Sequence, residues 1–211
     1  MAKRTRVLMV GAALLAIGGT VVASNMGFKF VPNYDASGAG NTFTISIPLN
    51  NNYTDAQSII NDIAASGCTP SQVTKINTNN SAKNCVSTGP LSPCSALNNF
   101  AVTKGEGYEV KVNTANCTTW VVVGSHDPAF PYSFTTPGAS YLASIPYHTT
   151  ALNAADIFTS VPSATTVTRV LRSGLKVNYT GNTAINNFAV VIGDAYFIKV
   201  SAPSSWTPPH Y

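Results

Sequence analysis

Side chains that could do chemistry are sparse in this chain, and the most tempting group is the run Ser125-His126-Asp127. It contains the three residue types of a serine-hydrolase triad. In such a triad, however, nucleophile, oriented base and buried carboxylate converge from separate parts of the chain. Three neighbours in sequence cannot adopt that geometry, and Asp127-Pro128 reads better as a turn leaving a strand. His148 and His210 are isolated, with no His-x-x-x-His or carboxylate spacing to recommend a metal site. Glu106, Glu109, Asp156 and Asp194 are the carboxylates from which a glycosidase pair would be drawn. Glu106 and Asp194 fall at equivalent turns of two related segments, so shared structure explains them more simply than paired acid–base work. The expectation is a non-enzyme with no catalytic residue, no metal and no cofactor.

The four cysteines, Cys68, Cys85, Cys94 and Cys117, form no C-x-x-C pair, and their even number in an exported chain predicts disulfides. Three connectivities are open. Trp120 and Trp206 occupy equivalent positions and are expected to anchor a sheet core; the alternative is a sugar-stacking platform. Asn52, Asn79, Asn116 and Asn178 each open an Asn-x-Ser/Thr sequon, a possible glycosylation site on a surface loop.

The elements that must carry these residues come from an internal repeat. Ser46-Ile47-Pro48 recurs 98 positions later as Ser144-Ile145-Pro146, and Val73-Thr74-Lys75-Ile76 recurs as Val167-Thr168-Arg169-Val170. Asn98-Asn99-Phe100-Ala101-Val102 returns unchanged at Asn186 to Val190, and Gly105 to Val112 matches Gly193 to Val200. Order and spacing agree, which marks two copies of one unit. The shrinking offset places insertions in the first copy, and all four cysteines fall within them, as staples on lengthened loops.

Each copy opens with an alternating strand (Phe43, Ile45, Ile47; Tyr141, Ala143, Ile145) stopped by proline. A short helix follows, over residues 55–65 behind a Thr54 N-cap and over 154–160 behind Asn153. Strands are predicted around 73–76 and 167–171, 100–102 and 188–191, and 108–112 and 196–200, with a glycine turn before the last. The first copy closes with a strand over 119–124. The second meets Pro208-Pro209 after Trp206, which predicts a truncated final strand and an open sheet edge. Met26, Phe28 and Phe30 alternate in a segment outside both copies, a spare strand suited to completing a neighbour's open sheet. Such a head-to-tail contact does not close on itself and so yields a fibre.

The chain begins with Lys3, Arg4 and Arg6, then an apolar run from Val7 to Val22 and small residues at Ala23 and Ser24, the three zones of a signal peptide cleaved after residue 23. Those three cations leave nine of the twelve basic side chains against eight acidic ones, so no electrostatic footprint for nucleic acid remains. Only 9% of residues are charged against about 25% in ordinary soluble domains, which predicts a surface covered by Asn, Thr, Ser and Gly. Membrane contact is expected only through the leader.

With these motifs in hand, the chain resembles a loosely defined group of exported bacterial proteins with tandem β-rich repeats. The resemblance rests on Ser24-Asn25-Met26-Gly27-Phe28, Ser46 to Pro48, Ala56 to Ile59, Phe100 to Val102, Gly105 to Val112 and Trp120 to His126. It implies a surface or extracellular β-rich protein and carries no catalytic residues. The resulting expectation is an α+β chain, predominantly antiparallel β. It comprises a leader (1–23), a donor-like strand and linker (24–40), a disulfide-stapled first repeat (41–130) and a second repeat (131–211). The expected role is a secreted or cell-surface structural subunit that forms a homo-oligomer or polymer by adding residues 26–31 to a neighbour. The alternative is a glycan-binding or adhesion module.

Overall fold

The computed structural model describes residues 28–30, 42–113, 117, 119–125, 127, 129–171, 174–182 and 184–210. The expected leader, Met26, Asn116 and His126 lie outside them. One series of elements runs through the chain twice. The first copy contains β1 (Phe28–Phe30), β2 (Thr42–Ser46), α1 (Ala56–Ala65), β3 (Pro70–Ile76), β4 (Ala82–Val86), β5 (Gly107–Val112) and β6 (Val122–Gly124). The second contains β7 (Tyr132–Phe134), β8 (Ser140–Ser144), α2 (Ala154–Ser160), β9 (Ala164–Val170), β10 (Lys176–Tyr179), β11 (Ala195–Val200) and β12 (Ser204–Trp206). Each copy builds one four-stranded antiparallel sheet, ordered β2-β5-β3-β4 and β8-β11-β9-β10, and one separate two-stranded ladder, β1-β6 and β7-β12. The fold is α+β, with antiparallel strands predominating.

Period-two alternation decides which side of each sheet is dry. Phe43, Ile45, Val73, Tyr108 and Val110 point to one face, where α1 lays down Ala56, Ile59, Ile60 and Ile63 at helical spacing, with Trp120 and Val122 closing the layer. The second copy repeats this packing with Ile145, Val167, Tyr196, Ile198, Ala154 and Ile157 beneath Trp206. Burying such a side chain stabilises by roughly 1.5–3 kcal/mol. The helix starts are fixed locally. Asp55, and not the expected Thr54, caps α1, with its carboxylate accepting from Ser58 N at 2.8 Å. Asn153 caps α2 as expected, and Asp156 returns the bond to the Asn153 amide at 3.0 Å.

Two expectations are corrected here. First, residues 100–102 and 188–191 are not strands. They cross the helix starts, where the Phe100 and Phe188 carbonyls accept from Ala56 N and Ala154 N, both at 2.9 Å. The fourth strand of each sheet is instead β4 or β10, and β4 lies inside what looked like a loop insertion. Second, β1 is not foreign to the repeat. It pairs with β6 of its own copy in the register Phe28↔Gly124, Lys29↔Val123, Phe30↔Val122, and in the second copy β7 pairs with β12, at and before the tryptophan and not after it. The last strand of the second copy, β12, stops at Trp206 ahead of the prolines, and Trp206 pairs with Tyr132, whereas β6 of the first copy follows Trp120.

Candidate functional site

The opposite faces of the two sheets turn toward each other, so the order of layers is helix, sheet, sheet, helix. Where they meet, the two copies exchange the same bonds in both directions, the mark of an approximate two-fold relation. Ser46 Oγ accepts from Ile145 N at 2.8 Å and donates to the Asp194 carbonyl at 2.7 Å. Ser144 Oγ accepts from Ile47 N at 3.0 Å and donates to the Glu106 carbonyl at 2.7 Å. The backbones repeat the exchange, Ser46 N to Gly193 O at 2.7 Å and Ser144 N to Gly105 O at 2.9 Å. Both serines are buried, and these partners are what makes a buried hydroxyl tolerable. Gly105 and Gly193 supply the required turns at φ 81° and 93°. Beside the axis, Leu142, Ala195 and Phe197 form a small apolar cluster with Ile76 and Val170.

Each copy flanks this junction with an ion pair. Lys75 Nζ reaches both Glu106 oxygens, at 2.8 and 2.6 Å, and Arg169 meets Asp194 Oδ2 at 3.0 Å. Tyr108 and Tyr196 sit beside these pairs. Burial pushes both phenols up, Tyr196 to about 12, so each keeps its proton, and each accepts a backbone amide at 2.7 Å, from Thr103 and Val191 respectively. Glu109 is also raised above the ordinary carboxylate range, by burial first, with Lys176 of the other copy pulling the other way. Between the copies, next to the Lys75–Glu106 pair, lies a cleft of about 260 Å³ whose walls include Ile76, Asn77, Thr78 and Leu142.

The remaining candidates are dispersed. Ser125 ends β6 by pairing with Asn50, and its hydroxyl accepts from Asn50 Nδ2 at 3.1 Å. Asp127 lies 3.9 Å from Lys104 Nζ and caps Ala129 N, while Asp156 serves the capping box of α2. Glu106 and Asp194 are each taken up by a cation of their own copy. His148 and His210 do meet, with ring centroids 5.6 Å apart. Among the described residues no group of three His, Cys, Asp or Glu side chains could hold a metal ion.

Both tryptophans are buried, and their indole N–H groups are bonded inside, Trp120 to Asp62 Oδ2 at 2.7 Å and Trp206 to Ser160 Oγ at 3.1 Å. A sugar cannot stack on either ring, so the platform alternative fails at these positions. The cysteines pair as Cys68–Cys117 and Cys85–Cys94, as in chains that mature in an oxidising compartment. Of the sequons, Asn52 and Asn79 are exposed in loops, whereas Asn178 lies in β10 and accepts from Thr168 Oγ1 at 2.7 Å. Among the described residues no helix is long and apolar enough to cross a membrane.

The junction was not anticipated as a site. Its signal was present, since the serine of Ser-Ile-Pro recurs on the side of the strand away from the apolar set, and the pairs Lys75/Arg169 and Glu106/Asp194 recur together. No family model, curated protein or solved structure matches this chain, so its geometry alone carries the functional argument.

Proposed function

We propose that the protein is a non-enzymatic structural subunit of the cell exterior that assembles by exchanging β1 between molecules. One observation carries the reading: β1 stands outside both four-stranded sheets, held in a three-residue ladder to β6 and joined to β2 through residues 31–41. A segment of that length reaches at most about 35–40 Å, enough to deliver β1 to the β6 of a neighbour. In this reading the acceptor is the neighbour's β6, so that the ladder formed in trans repeats the one formed in cis. Support also comes from the signal-peptide pattern, the two disulfides and the 9% charged fraction, which leaves little repulsion between copies.

Lys29 and Val123 face each other in the ladder, which gives a direct test. Mixed and oxidised, the single variants Lys29→Cys and Val123→Cys should yield a disulfide-linked pair of different chains, with longer species in the double variant. A double variant that cross-links only within its own chain, with no link between mixed single variants, would exclude exchange.

A further inference from the structure

We propose that the cleft between the copies is a binding site for a neutral, polyhydroxylated molecule about one sugar ring in size. Its volume, about 260 Å³, falls just below the range of pockets for drug-sized ligands. Its chemistry is mixed in the way a pyranose requires. Ile76 and Leu142 offer an aliphatic surface to a C–H face, and Asn77 and Thr78 add an amide and a hydroxyl from the β3–β4 hairpin. Glu106 receives three hydrogen bonds, two from Lys75 and one from Tyr108, against about four acceptor sites on a carboxylate. It therefore retains capacity to accept from a ligand hydroxyl. The Lys75 ammonium carries three protons, so the pair presents donor and acceptor side by side. Because the two charges sit together at 2.6 Å, a free anion meets Glu106 and a free cation meets Lys75, and a neutral ligand suffers neither repulsion.

The repeat supplies an internal control. Arg169 and Asp194 make the equivalent ion pair in the second copy, away from the cleft walls. Breaking either pair has a similar structural cost, but only one faces the ligand. The site is independent of strand exchange and is tested separately from it.

The test uses the disulfide-intact protein with the methyl pyranosides of glucose, galactose, mannose and N-acetylglucosamine as probes, read by saturation-transfer NMR and calorimetry. At least one should bind with a Kd in about the millimolar range. Glu106→Gln should weaken it about ten- to hundredfold, the effect of losing a hydrogen bond to a charged group, while Asp194→Asn leaves it unchanged. If circular dichroism shows Glu106→Gln to be unfolded, Asn77→Ala carries the same expectation from an exposed hairpin. Absence of binding by all four probes, binding indifferent to Glu106→Gln and Asn77→Ala, or equal loss in Asp194→Asn would each overturn the proposal.

Discussion

His148 is held below the ordinary histidine range, by burial first and then by the charge of His210 nearby. Its neighbours secure the chain end, with Thr150 N and Thr149 Oγ1 both donating to the Pro209 carbonyl at 3.0 Å. A histidine whose folded pKa lies below its unfolded value of about 6.5 costs nothing above that pH. As pH falls through about 6.5 the unfolded chain takes the proton more readily, and stability drops until the depressed folded value is passed. The melting temperature should therefore fall between pH 7.5 and pH 5, and His148→Phe should flatten that fall, as measured by calorimetric scans of both proteins. Glu109 changes stability in the opposite sense, since its raised carboxyl is relieved by acid, and the difference between wild type and variant removes it. A lone histidine shows none of this in sequence, because its partner lies 62 positions away.

At the scale of elements, the two disulfides act on loops of very different length. Cys68–Cys117 spans a separation of 49 residues and Cys85–Cys94 only 9. Chain-entropy reasoning assigns them about 4 and about 3 kcal/mol. Urea unfolding of Cys68→Ala/Cys117→Ala should accordingly show the larger loss; equal or reversed losses would point to native-state contacts as the main contribution. The same elements show what alternation can and cannot reveal. β2, β5 and α1, with their second-copy counterparts, were legible because each turns several apolar side chains to one core, and β3 and β9 through the recurrence of Val73-Thr74-Lys75-Ile76 as Val167-Thr168-Arg169-Val170. β4 and β10 were not, since each buries one side chain, Cys85 or Tyr179, and the rest of the strand is half-buried or exposed. Phe100-Ala101-Val102 alternates like a strand, but its backbone is committed to the start of α1. Ahead of Pro208-Pro209, β12 ends at Trp206.

For the molecule as a whole, the crossed serines tie two small cores together, and the intact protein should unfold in one transition. Ser46→Ala removes the acceptor of Ile145 N and the donor to Asp194 O, and Ser144→Ala removes the equivalent pair on the other side. Leaving such buried groups without these bonds should cost about 2–4 kcal/mol in each variant, with similar values for the two. The double variant should lose the single transition, so that fluorescence and circular dichroism report unfolding at different urea concentrations. Coincident transitions in the double variant would show that the apolar cluster at Leu142 and Phe197 suffices to couple the copies. The existence of two copies was legible from their repeated motifs, but their mutual orientation was not. Face-to-face packing depends on which residues of one sheet fit the other, and no spacing within a copy encodes that.

Gly107 and Ala195 hold equivalent positions, and a methyl group on Gly107 would run into that of Ala195. Two second copies from different chains, brought together in the same way, would set alanine against alanine, which the spacing forbids. Two first copies would leave a gap where one methyl group now sits. A single missing carbon thus gives each half a preference for its unlike companion, and covalent linkage ensures that this companion is always at hand. Each half thus discriminates against its own like from another chain, and correct pairing is favoured even where many copies of the chain fold side by side.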